Sequence, residues 1–179
     1  LQAPAGLTLH SLIQTGTLTK AGDGVLILSS SNNTYTGATN LNAGTIRVTG
    51  GNAVGDRSTL NIANLATALF DLGNGAEAIG SLSGGGLLRG TLTAGVVTGT
   101  VLVGGEVRIG TGTLTINQTG NTTYSGALVG SGALELFGTA AANTLTLNTA
   151  NNPFSGTLKI SGAQLVLANG GLTPGLTSA

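Results

Sequence analysis

The 179-residue chain has no cysteine, methionine or tryptophan, and its aromatics are 2 tyrosines and 3 phenylalanines. Without cysteine there are no disulfides, no thiolate metal site and no thiol nucleophile. That suits a cytosolic protein or a secreted one that avoids the residue. Charge is equally scarce, at 7% of residues against roughly 25% in an ordinary soluble domain. The 6 basic side chains (Lys20, Arg47, Arg57, Arg89, Arg108, Lys159) are scattered and matched by 6 acidic ones (Asp23, Asp56, Asp71, Glu77, Glu106, Glu135). No basic stripe exists, which argues against a nucleic-acid or anionic-membrane partner. No apolar run approaches the roughly 18 residues of a transmembrane helix. No secretory signal is visible, and an opening "LQAPAG" without methionine reads as a piece of a longer protein.

What is present is glycine, at 32 residues, and short alternating strands. "GTIRV", "STLNI", "GEVRI", "GTLTI", "GALEL", "NTLTL", "GTLKI" and "AQLVL" each place two apolar residues around an outward one. This period of two marks half-buried strands. The expected inward pairs are Ile46 and Val48, Leu60 and Ile62, Val107 and Ile109, Leu114 and Ile116, Leu134 and Leu136, Leu145 and Leu147, Leu158 and Ile160, Leu165 and Leu167. Arg47, Arg108, Glu135 and Lys159 take outward positions, where a charge needs no partner. Frequent glycine and β-branched residues leave helix with little support; only 64–72 admits a helical turn, and its flanks favour strand.

A longer repeat chooses among all-β architectures. Shifting the chain by 119 residues lays 24–48 over 143–167 without a gap, so that Leu26 falls on Leu145, Tyr35 on Phe154, Gly37 on Gly156 and Val48 on Leu167. Apolar positions match and polar fillers do not, which is how stacked repeats preserve inside and outside. The predicted fold is an all-β solenoid of about seven to nine coils, each of roughly 20 to 25 residues, forming a rod on the order of 35 to 45 Å. Glycine is expected at the corners.

Three boxes hold both tyrosines and one phenylalanine: "NNTYTG" (32–37), "NTTYSG" (121–126) and "NNPFSG" (151–156). They read as punctuation of the repeat. The asparagines close a turn, the aromatic packs on a corner, and the glycine lets the chain bend into the next strand. The spacing of the aromatics suggests a unit of about 30 residues, with copies missing near 65 and 95.

The segment 16–48 resembles the passenger-associated repeat of bacterial autotransporters, also called the autotransporter-associated β-strand repeat, through Gly16, Leu18, Lys20, Gly22, Gly24, Leu26, Leu28, Asn33, Tyr35, Gly37, Leu41, Gly44, Ile46 and Val48. "LFDLGNGAEAIGSLSGGG" (69–86) is similar to the spacer between such repeats, and 121–167 reads as degenerate repeats. The motif is lost over 87–120. The resemblance implies a right-handed parallel β-helix over 1–179, a single segment of a longer passenger. It implies secretion through the outer membrane by the protein's own carboxy-terminal β-barrel, which is absent from this chain, and exposure at the cell surface or release. The corresponding function is a non-enzymatic stalk that supports export and adhesion, with a host or neighbouring-cell protein or glycan as partner.

No catalytic, cofactor-binding or metal-binding residue is expected. The acids are far apart in sequence, His10 stands alone, "GDG" at 22–24 offers too few oxygens for calcium, and "GGG" at 84–86 lacks the context of a phosphate loop. Two other readings stay open. One is a polysaccharide-active β-helix enzyme, which requires clustered carboxylates. The other is an ice-binding solenoid built on the Thr-x-Thr steps at 17–19, 91–93, 113–115 and 144–146. The neutral, Thr- and Asn-rich surface suits glycan or protein contacts, and the sequence names no exposed aromatic platform.

Overall fold

A computed structural model describes residues 6–88, 91–93, 96–98, 102–140, 142–149 and 152–168. Arg89 and Asn151 lie outside the described residues, as does position 95. Among the described residues there is no helix; the turn allowed at 64–72 resolves into an irregular corner and a strand.

The strands wind through seven coils. The first holds β1 (Leu7–Leu9) and β2 (Leu18–Lys20), the second β3 (Val25–Leu28) and β4 (Thr39–Leu41), the third β5 (Thr45–Val48) and β6 (Thr59–Ile62). The fourth adds a wall: β7 (Leu69–Asp71), β8 (Ala76–Ile79) and β9 (Ser81–Gly84). The chain then leaves the coil for two antiparallel ribbons, β10 (Gly86–Leu88) with β13 (Leu102–Gly104) and β11 (Thr91–Thr93) with β12 (Val96–Thr98). It returns as β14 (Glu106–Gly110), β15 (Thr113–Gln118) and β16 (Thr122–Tyr124), then β17 (Ala127–Gly130), β18 (Ala133–Gly138) and β19 (Thr144–Leu147), and finally β20 (Thr157–Ser161) and β21 (Gln164–Leu167).

Stacking these coils makes three parallel walls. The first runs β1-β3-β5-β7-β14-β17, the second β8-β15-β18-β20 and the third β2-β4-β6-β9-β16-β19-β21. Ladder partners such as Leu7, Leu26, Ile46 and Phe70 follow one another at steps of 19, 20 and 24 residues. The step from Phe70 to Val107 is 37 residues, because the ribbons are inserted there. Seven coils at about 4.8 Å per coil give a rod of roughly 34 Å. The coil count sits at the low end of the expected range because the ribbons use chain without adding a coil. The loss of motif over 87–120 therefore conceals two different things, an excursion to Gly104 and then a return to the coil from Glu106 onward, with one register shift between Arg108 and Gly110.

The inward pairs expected from 46 to 147 are buried, each at 2% exposure or less. At about 1.5–3 kcal/mol per buried aliphatic side chain, they supply most of the driving force before chain entropy is set against it. The seventh coil departs from expectation. Ile160 and Leu167 were assigned inward, yet they are 43% and 48% exposed; they stack on β18 and β19 below, and no described residue covers their other side. The outward charges are outward as expected but paired: Arg47 with Asp71 at 2.9 Å, Arg108 with Glu106 at 2.8 Å and Lys159 with Glu135 at 3.8 Å. The two exposed pairs, Arg108–Glu106 and Lys159–Glu135, contribute only about 0–1 kcal/mol each, whereas Asp71 is itself buried.

The box glycines are needed for a reason other than chain bending. Gly37 has no positive φ. A methyl group built on it would strike the carbonyl oxygen of Gly16, and the same holds for Gly126 against Gly105 and Gly156 against Gly132. Coils come closest at these corners, so the position excludes a Cβ. Gly37→Ala is expected to destabilise the chain by about 1–3 kcal/mol. Gly120→Ala, at a site with nothing within 4 Å, should change stability by less than about 0.5 kcal/mol. Chemical unfolding followed by circular dichroism distinguishes the two.

Candidate functional site

The three boxes do not converge. Tyr35 lies in the loop before β4, Tyr124 ends β16 on the third wall, and Phe154 bridges Gly130 at the end of β17 on the first wall. All three rings are buried to 1% or less. The Tyr35 hydroxyl hydrogen-bonds Thr39 Oγ1 at 2.7 Å, which continues to Ser58 Oγ at 2.8 Å. The Tyr124 hydroxyl donates toward the carbonyls of Gly105 and Ala127, both at 3.2 Å. On the third wall Tyr124 is in register with Gly84.

The asparagines work between coils and not within a turn. Asn33 Oδ1 accepts from the Ile13 amide at 2.7 Å and its Nδ2 donates to the Ala53 carbonyl at 2.6 Å, so one side chain ties three successive coils. Asn152 Oδ1 accepts from the Leu128 amide at 2.9 Å, and Asn121 Oδ1 from the Thr144 amide at 3.0 Å. These contacts satisfy backbone groups where a loop interrupts the regular ladder.

Two ionisable residues, Lys20 and Glu77, face inward, which the alternation did not indicate; Asp71 is buried too, on an outward position. Lys20 is fully buried at the head of an inward ladder that continues to Leu41. Its ammonium donates to the carbonyls of Ala21, Gly22 and Ala43. The first carbonyl of the "GDG" corner, that of Gly22, thus faces a lysine. Burial lowers the Lys20 pKa, and Asp23 opposes the shift. Glu77 is 2% exposed and in register with Leu114, an inward position. It stands at the edge of the second wall, where coil three offers a loop and no strand. The carboxylate takes the place of that missing strand by accepting from the amides of Val54 at 2.7 Å and Ala53 at 3.0 Å.

Burial pushes the Glu77 carboxyl up from 4.5 to about 7; the Val54 and Ala53 amides pull it down, and Asp56 adds a small push upward. Between pH 4.5 and 7 the folded chain therefore holds a proton that the unfolded chain has released. The stability this linkage contributes is complete below pH 4.5 and is lost as pH rises through 7.

Of the remaining singled-out residues, His10 is exposed with Nδ1 at 2.7 Å from Ser29 Oγ. Gly84, Gly85 and Gly86 all have positive φ, at 97°, 66° and 159°, where the chain leaves the coil. The Thr-x-Thr steps are divided: 17–19 and 144–146 belong to the third wall, 113–115 to the second and 91–93 to a ribbon. They form no common threonine face. Among the described residues no group of three His, Cys, Asp or Glu side chains is placed to hold a metal ion.

A groove of about 750 Å³ crosses the edge of the second wall, lined by Asp56 and Arg57 from coil three, Asn117 and Thr119 from coil five, and Phe137 and Thr139 from coil six. Asn117 and Phe137 are register partners on β15 and β18, both outward. Asn117 Nδ2 donates to the Asp56 carbonyl at 3.4 Å. Phe137 is half-buried and brings an aromatic ring to the groove. It shares the outward parity of Glu135, a signal that the alternation itself carried. One carboxylate, Asp56, lines the groove, whereas glycoside hydrolysis ordinarily needs two.

Residues 18–48 and 142–167 match the family described as passenger-associated-transport-repeat. The chain is 35% identical over 165 residues to the adhesin BmaC autotransporter of Brucella suis biovar 1 (strain 1330), an alignment covering 89% of this chain and 4% of that protein. The chain thus spans a small fraction of the relative it matches. No solved structure matches it significantly.

Two substitutions test the buried charges. In Glu77→Gln the fall in stability between pH 4.5 and 7, on the order of 2–3 kcal/mol in the wild type, should largely disappear; urea midpoints measured across that range read it directly. Lys20→Met should cost about 1–3 kcal/mol by leaving buried carbonyls unpartnered, whereas an unchanged midpoint would mean that those carbonyls reach water.

Proposed function

We propose, from the premise that this chain belongs to the autotransporter passengers built on passenger-associated-transport repeats, that it is a non-enzymatic stalk segment of a longer surface protein. The observation that carries this reading is the match of its repeats to that family together with their stacking into one uninterrupted column of coils. The segment is exported through the outer-membrane β-barrel of its own polypeptide and stands at the cell surface or is released from it. Its use there is adhesion to a host or neighbouring cell, a reading supported by the relative named as an adhesin.

The geometry suits export in an unfolded state followed by folding outside. Contacts between coils join residues 19–24 positions apart along most of the rod, so each coil can form on the previous one as it emerges. A column of this kind propagates from a formed end, each new coil burying several apolar side chains at about 1.5–3 kcal/mol apiece. No cysteine is present to cross-link the chain before it crosses.

In the full-length protein, Leu145→Asp combined with Leu147→Asp should sharply reduce surface display, measured by antibody labelling of intact cells; undiminished display would overturn the export role. Deleting 6–168 from a protein that still reaches the surface should lower attachment to cultured host cells or to sister cells, and attachment at the full level to both would remove this segment from adhesion.

A further inference from the structure

We propose that the groove on the second wall is a binding site for a neutral saccharide, with the Phe137 ring as the surface on which one pyranose ring lies. This assignment rests on the adhesive reading and specifies its ligand.

The first observation is Phe137 itself. The chain has 5 aromatic residues, and Tyr35, Tyr124, Phe70 and Phe154 are all buried to 1% or less. Phe137 alone stands on the outside of a wall, half-buried. Aliphatic side chains also take outward positions, Ile27, Val129 and Val166 among them, but Phe137 is the aromatic ring that does so, and leaving it against water has a cost. Its orientation is held from one side by Lys159, whose Nζ lies 5.3 Å from the ring centroid, a favourable cation–aromatic geometry.

The second observation is the chemistry that surrounds the ring. Asp56 supplies a carboxylate acceptor, Arg57 a guanidinium donor, Asn117 an amide that both donates and accepts, and Thr119 and Thr139 hydroxyls that do either. This set matches vicinal hydroxyl groups, which need donors and acceptors alternating over short distances. A pyranose presents an apolar C–H face to the ring and a hydroxyl rim to these side chains. The volume of about 750 Å³ lies within the roughly 300–1,000 Å³ of small-ligand sites and holds a short oligosaccharide.

Charge and topology exclude the competing partners. Asp56 and Arg57 balance each other, and Lys159 is occupied by Glu135 at 3.8 Å, so the groove has no net field to attract a sulfated glycan or an acidic peptide. An extended peptide adding to a sheet needs an unpaired strand edge. β18, which carries Phe137, is paired on both sides, by β15 and β20, and offers no edge at the ring, while β8 at the edge of the wall contributes no residue to the groove lining.

The site exists only in the folded rod, because Asp56 and Asn117 meet across 61 residues of sequence. Titration calorimetry and saturation-transfer NMR on this chain, with tetrasaccharides of glucose, galactose and mannose as probes and a heparin hexasaccharide and an acidic peptide beside them, test it. At least one neutral probe should bind saturably. Phe137→Ala and Asp56→Asn should each weaken it about tenfold or more, Phe137→Tyr should restore it, and Arg108→Ala on the first wall should leave it unchanged. Circular dichroism melts identify any variant that has lost its fold, in which case Asp56→Asn, on an exposed loop, decides. Binding of the heparin fragment or the peptide alone, no binding of any neutral probe, or affinity unaffected by both groove substitutions would overturn the assignment. Cells whose full-length protein carries Phe137→Ala and which still attach fully would sink the groove while leaving the adhesive role standing.

Discussion

Everything in this molecule follows from laying one coil on another at the spacing of a parallel β-ladder. Each coil has too little apolar surface to fold alone, so its inward residues are buried by the coils above and below it. Leu26, Ile46, Phe70, Val107 and Leu128 form one such column, and Leu114, Leu134 and Leu158 another. The ladder also dictates what is forbidden. Where corners touch, the carbonyl of one coil occupies the space a Cβ of the next would need, and glycine is the residue left.

The same constraint explains the buried polar residues. A parallel ladder satisfies its backbone groups only while strand lies on strand. At the second wall, coils one to three run as loops, and the amides there have no strand to meet. Asn33 and Glu77 fill that role with side chains, and Lys20 does so for the carbonyls of Ala21, Gly22 and Ala43. A carboxylate at an inward position of a ladder looks like a defect in sequence. In the folded rod it stands in for a missing strand, and burial raises its pKa into the neutral range. The inserted ribbons make a related point: the first-wall column passes from Phe70 to Val107 without losing register, so the stack tolerates an excursion because neighbouring coils need only their own contacts.

Alternation was legible to the residue through most of the chain, because the pleat forces side chains to opposite faces and the core accepts one class. The repeat of 119 residues was legible too, but its geometric meaning was not. Leu26 and Leu28 lie on the first wall, while their counterparts Leu145 and Leu147 lie on the third; Leu41 lies on the third and its counterpart Ile160 on the second. The copied segments are wound onto different walls, since coil steps vary with loop length and the ribbons add chain without adding a coil. The aromatic boxes are therefore alike in sequence and burial yet unlike in place, and the unit of about 30 residues inferred from their spacing is not the coil.

The sequence by itself determined the alternation that turns most apolar side chains inward, because that depends on spacing between near neighbours, and the long repeat that marks a solenoid; the family of repeats was legible as a resemblance of motif. Only the tertiary structure decided where the walls begin, that Lys20 and Glu77 are buried, and that Phe137 faces a groove with Asp56 and Asn117. Those outcomes depend on which coil lies against which. That order is set by the accumulated lengths of loops and insertions, which alternation does not record.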